Sequence, residues 1–146
     1  PVPMTMQTFV VLFLGLSFGY KIGLSTVGLY LIEGIIGLPV FSNSPERGVG
    51  LVYFTGPTMG YLIGFLFATY VASFIKLKDN YLIILIKLIL AVSTIYVLGV
   101  LWLGTILGWD KPIVELGIKP FLLAEIFKIM LLTFLAKKII KLRKFI

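Results

Sequence analysis

Lys128 stands in the middle of an almost wholly apolar stretch, residues 121–136, with Glu125 one helical turn ahead of it. Residues at i and i+3 share a helix face, so this carboxylate and this ammonium can neutralise each other. At a rise of about 1.5 Å per residue, Lys128 lies about 12 Å from Pro120 and about 13 Å from Lys137. A lysine stem covers only part of either distance, so its ammonium cannot fully reach water by snorkelling. Ionisable groups at such depth face bundle interiors or water-filled cavities and mark ligand or ion paths. Two roles stay open for the pair: an internal bridge that only holds helices together, and a polar ligand site that opens toward the outer face. Glu125 lies nearer the start of its helix, where the helix dipole favours a negative group.

Little else in the chain offers chemistry. Cysteine and histidine are absent, which excludes disulfides, thiolate metal sites, cysteine nucleophiles and the usual general base. The six carboxylates, Glu33, Glu46, Asp79, Asp110, Glu115 and Glu125, are scattered along the sequence, whereas a divalent-metal site needs them clustered. No Gly-rich loop followed by Lys-Ser or Lys-Thr is present, so the chain should not hydrolyse ATP itself. The expectation is a protein that is not an enzyme and holds no metal or cofactor. Glu33 ends an apolar run, Tyr30-Leu-Ile-Glu33; it either accepts loop amide hydrogen bonds or lines the site. Lys87 sits about two turns inside its segment and should snorkel toward the nearer side.

These residues need apolar elements to position them. Of the 146 residues, 60% are hydrophobic and 13% charged, about half the charged share of a soluble domain. Mean hydropathy is +1.11. Runs without a charge, 48–75 and 88–109, are long enough to cross hydrocarbon that needs about 20 residues. The reading is an all-α membrane protein, one polytopic helical bundle over residues 1–146. Five transmembrane segments are expected: 7–20, 22–36, 57–75, 81–107 and 120–138. A tight Gly-Tyr-Lys turn makes a hairpin of the first two. Prolines at 57 and 120 suit first helical turns. Residues 37–55, rich in Gly, Pro, Ser and Asn, read as an ordered loop, and 108–119 as a second loop.

The basic residues fix an orientation. Alternate crossings place Lys21, Lys76, Lys78, Lys137, Lys138, Lys141, Arg143 and Lys144 on one side, against Arg47, Lys111 and Lys119 on the other. The positive-inside rule then puts the C-terminus in the cytoplasm and both long loops outside. The net charge of +7 is therefore assigned to membrane topology and not to nucleic acid. Gly56, Gly60, Gly64, Ala68 and Ala72 recur every four residues. Such a column lets another helix approach closely, either within the bundle or from a partner subunit. Tyr53, Phe54, Tyr61, Trp102 and Trp109 fall near outer segment ends, where aromatic belts commonly put them.

The local sequences carry a resemblance. Pro1-Val-Pro-Met-Thr-Met-Gln7, Gly37-Leu-Pro-Val-Phe41, Gly56-Pro-Thr-Met-Gly-Tyr-Leu-Ile-Gly-Phe65 and Pro120-Phe-Leu-Leu-Ala-Glu-Ile-Phe-Lys128 together resemble the BioY family, over nearly the whole chain and in the same order. That family comprises the biotin-binding S components of energy-coupling-factor transporters. The resemblance implies a multi-pass protein of a prokaryotic cell membrane that captures biotin outside and delivers it inward with a transmembrane T component and two ATPase subunits. It implies six helices, the first expected to precede Pro1 and to dock the T component through small residues. Lys128 would form a charge-assisted bond to a polar end of biotin, and Glu125 would accept a ureido N–H or orient Lys128. Glu33, Tyr61, Gln7 and Asn43 are further candidates for substrate binding. Ala124-Glu125 departs from the family's usual Gly-Asp; the extra methylene is expected to shift ligand geometry or relax selectivity. An S component for another vitamin, an ion-coupled carrier using Glu125 and Glu33, and a non-transporting assembly protein are the competing readings.

Overall fold

The computed structural model describes residues 5–42, 46 and 48–145; Asn43 and Arg47 lie outside the described residues. Among the described residues the chain is all-helical. Its α-helices are α1 (Gln7–Ile35), α2 (Leu51–Phe54), α3 (Met59–Ala72), α4 (Tyr81–Leu107), α5 (Ile113–Gly117) and α6 (Leu122–Ile140). Short 3₁₀ turns, Lys119–Phe121 and Lys141–Phe145, flank α6. Two of these helices, α1 and α4, are long and apolar enough to cross a membrane, and α3 is a shorter apolar helix.

The expected hairpin is present inside α1. Gly19 leaves helical geometry, with φ 80° and ψ −179°, a conformation that glycine adopts without steric cost. The break turns the chain back on itself. Gln7 Nε2 donates to the Tyr30 hydroxyl at 2.6 Å, although 23 residues of straight helix would separate them by about 34 Å. α1 therefore consists of two arms.

Helix α4 has the expected bounds because both ends are signalled locally. Asn80 is extended, and its side chain accepts from the Ile83 N–H at 2.9 Å, an N-cap. Gly108, at φ 97°, stops the helix. The small-residue column serves the interior. A Cβ on Gly60 would lie 2.3 Å from the Leu98 carbonyl oxygen, and one on Gly64 2.6 Å from Ile95 Cα. Backbones of α3 and α4 thus touch, and a side chain at either position would force them apart. Ala68 and Ala72 are fully buried, the latter facing Gly15 of the first α1 arm.

Both expected loops need correction, since each contains a short helix: α2 within 37–55 and α5 within 108–119. The first also sends aromatic rings into the main core. Buried Phe41 stacks on Tyr53 at 4.9 Å and meets Tyr30 edge-on at 5.4 Å, while the Tyr53 hydroxyl donates to the Ser42 carbonyl at 2.6 Å. The apolar contact of three rings offsets the entropy of ordering a segment rich in Gly and Pro.

Candidate functional site

Four helices bring polar groups to one place. From α6, Glu125 and Lys128 lie on one face with Oε1 and Nζ 3.4 Å apart, both side chains only 7% exposed. From the first turn of α1, the Thr8 hydroxyl donates to Glu125 Oε1 at 2.8 Å and accepts from Lys128 Nζ at 3.2 Å. From the middle of α4, the Tyr96 hydroxyl donates to the same Oε1 at 3.0 Å. Lys128 also donates to the Thr5 carbonyl at 2.5 Å. From α3, Tyr61 packs its ring edge-on against Tyr96 at 5.9 Å, and its hydroxyl reaches the Gly117 carbonyl at 2.9 Å. That bond ties α5 to α3.

The donor count is uneven. All three ammonium protons of Lys128 have acceptors, and Oε1 of Glu125 receives three donors. Glu125 Oε2 is buried and has no hydrogen-bond partner among the described residues. A buried carboxylate oxygen without a donor costs free energy that an incoming N–H or O–H would recover. Glu125 lines a cavity shared with Lys128, Thr8, Tyr61, Tyr96 and Gln7. Its free space is about 520 Å³, open mouth included, of which only about 50 Å³ is wide enough to seat water. A vitamin-sized guest therefore needs side chains to move. The remaining wall is aromatic and aliphatic, with Tyr53, Phe65 and Phe121 among it. Such a lining suits an apolar ring body whose few polar atoms are met by specific partners.

Of the residues singled out from sequence, the structure gathers Lys128, Glu125, Tyr61 and Gln7 around this cavity. Glu33 is half-buried on the second arm of α1 and belongs to none of the cavity walls described; its backbone carbonyl accepts from the Leu38 N–H. Asn43 is outside the described residues. Sequence reasoning missed Thr8 and Tyr96. Tyr96 carried a signal: it lies mid-helix in α4, too deep for an interfacial belt to explain it. Tyr53 and Tyr61 likewise are buried and line the cavity, whereas Trp109 is 61% exposed. Lys87 reaches back to the 76–80 turn, pairing with Asp79 at 2.6 Å.

The comparisons with known proteins agree with one another. A protein of Pyrococcus horikoshii named as a probable biotin transporter BioY is 38% identical over 128 residues, covering 88% of this chain and 74% of that protein. The biotin transporter BioY of Thermotoga maritima is 32% identical over 143 residues, covering 97% and 83%. A crystal structure of the S-component for biotin from an ECF-type ABC transporter superposes with a TM-score of 0.79 at 27% identity, covering 97% of this chain and 77% of that one. The family model for BioY matches residues 1–145. The chain belongs to the BioY family.

Proposed function

We propose that this chain is a substrate-binding membrane subunit, a single S-component domain that captures biotin from outside the cell and delivers it inward with an energising module. The observation that carries the site assignment is that Glu125, whose buried Oε2 has no partner among the described residues, lines a cavity that also holds Lys128. Biotin offers ureido N–H donors, a carboxylate and an apolar bicyclic body. A ureido N–H completes the coordination of Oε2, and Lys128 exchanges one of its present acceptors for a polar oxygen of the ligand in a charge-assisted bond. Tyr61, Tyr96 and Phe121 cover the rings. The relatives' names and the solved biotin S-component support this ligand.

The finer architecture is part of the proposal. The two arms of α1, with α3, α4 and α6, make five membrane crossings in a multi-pass protein of a prokaryotic cell membrane, its C-terminus cytoplasmic. The support is the basic excess at the end that holds residues 137–144. Its partners are a transmembrane T component and two ATPase subunits, a reading supported by the likeness to an S-component of an ECF-type ABC transporter.

The test is calorimetric titration of the purified chain with biotin and with a panel of other water-soluble vitamins. Biotin should bind, and Lys128→Ala should abolish the heat in a chain that still melts cooperatively. Binding of another vitamin in place of biotin would reassign the substrate; undiminished biotin affinity in Lys128→Ala would remove Lys128 from the site.

A further inference from the structure

Beyond α6 the chain forms a 3₁₀ turn, Lys141–Phe145. In a 3₁₀ helix residues three apart eclipse one another, so this turn has three ridges. Lys141 and Lys144 make one, and both are exposed. Leu142 and Phe145 make the second, 39% and 86% exposed. The third is Arg143, turned into the protein. Its Nε donates to the Leu16 carbonyl at 2.8 Å, and its terminal nitrogen to the carbonyls of Gly15 and Ser73 at 3.2 and 3.1 Å. Arg143 thereby caps the chain ends where the first α1 arm and α3 stop, and it fixes which way the other two ridges face.

The surroundings extend this pattern. Phe74 and Leu77, beside the carbonyl that Arg143 grips, are 47% and 40% exposed. Lys76 and Lys78 flank Leu77 in the sequence. The carboxylate of that turn, Asp79, is occupied by Lys87 at 2.6 Å, so it does not compete for the free lysines. An exposed phenylalanine and leucine beside exposed Lys76 and Lys78 make a surface with an apolar half and a cationic half.

The geometry points to this turn as an anchor for anionic phospholipid at the bilayer interface. Lys141 and Lys144 meet phosphate headgroups, while Leu142 and Phe145 enter the acyl boundary; clustered bases just beyond a membrane helix attract anionic lipid in this way. The inference rests on the membrane reading above, but not on the identity of the captured vitamin.

Thermal unfolding of the full chain, purified in a neutral detergent, tests it against added phosphatidylglycerol, phosphatidylcholine and inorganic phosphate. Phosphatidylglycerol should raise the melting temperature, with the rise suppressed by high salt; phosphatidylcholine and phosphate should not. K141Q/K144Q should weaken apparent phosphatidylglycerol affinity about 25-fold, at about fivefold per base, and leave biotin binding intact. L142S/F145S should weaken it too, and K111Q, at the opposite end, should not. Equal responses to both lipids overturn the proposal, as does a salt-insensitive response of the unmodified chain, which decides the matter even if the double variants fail to fold. Unchanged lipid affinity in K141Q/K144Q with lost assembly onto the ATPase-bearing module would assign the ridge to a protein partner instead, and overturn it equally.

Discussion

Two lysine–carboxylate pairs divide this molecule. Asp79 and Lys87 close at 2.6 Å beside a turn, with side chains 10% and 30% exposed. The same Asp79 oxygen takes the Lys76 N–H at 2.9 Å, and Lys87 also reaches the Phe74 carbonyl at 3.2 Å. Glu125 and Lys128 stand 3.4 Å apart, each 7% exposed, with one carboxylate oxygen left without a donor among the described residues. The pair at the turn is compact and can also draw on water. The deep pair is loose, held by Thr5 and Thr8 at the start of α1 and by Tyr96 of α4, and incomplete where an unmet acceptor costs most. A pair built only for cohesion has no reason to be left in that state, whereas a ligand site does.

Removing one charge should separate the pairs most sharply. Lys128→Ala leaves Glu125 buried without a counter-charge, and breaking one side of a buried pair costs about 3–5 kcal/mol. The variant should melt far below the unmodified chain and fail to respond to biotin. Replacing both charges sharpens the point. Glu125→Leu with Lys128→Met exchanges the pair for apolar groups of similar reach, a change that is often neutral or stabilising by about 1–4 kcal/mol. Melting should recover to near the starting value while biotin binding stays absent. A double variant that still binds biotin would make the deep pair merely structural, like its counterpart at the turn.

Much of this was legible in the sequence, for reasons that can be assigned. The bounds of α4 follow from the Asn80 cap and the Gly108 stop, and the α1 hairpin from Gly19. The proximity of Glu125 and Lys128 follows from their i, i+3 spacing. α2 and α5 escaped because four or five residues inside a Gly- and Pro-rich connection carry no periodicity to detect. Thr8 escaped for a different reason. Hydroxyls in apolar helices usually bond back to the carbonyl four residues earlier, as Ser17, Ser93 and Thr133 do here. Nothing in composition tells such a residue from one that crosses to another helix. Which oxygen of Glu125 would be left alone is fixed only by where α1 and α4 place their hydroxyls.

A smaller change probes the uneven donor count. Tyr96→Phe removes one of the three hydrogen bonds to Glu125 Oε1 while keeping the ring that packs on Tyr61 and Phe121. Hydrogen bonds to a charged group contribute about 1.5–3 kcal/mol. Biotin affinity should fall about tenfold, measured by the same titration, because the carboxylate is less firmly held for the ligand. An unchanged affinity would mean that Thr8 and Lys128 alone orient Glu125.

The pair at the turn should give the smallest effect, and one confined to stability. The Asp79 carboxyl is held below its usual 3.8, first by its hydrogen bond with Lys87 and then by the Lys76 backbone N–H. A carboxyl whose folded value is depressed stabilises the fold fully above the unfolded value of 3.8, and that contribution fades as the pH drops through the folded value. Asp79→Asn should therefore lower stability near neutral pH by no more than about 1 kcal/mol, since the pair is partly exposed. The gap between variant and unmodified chain should narrow as the pH is taken below 3.8, with biotin affinity at neutral pH the same in both. Melting curves at several pH values measure the gap directly. A gap that stays constant with pH would show that the asparagine is losing packing and not charge, and a loss of biotin affinity would show that the turn and the cavity are coupled through α4, erasing the distinction between the two pairs.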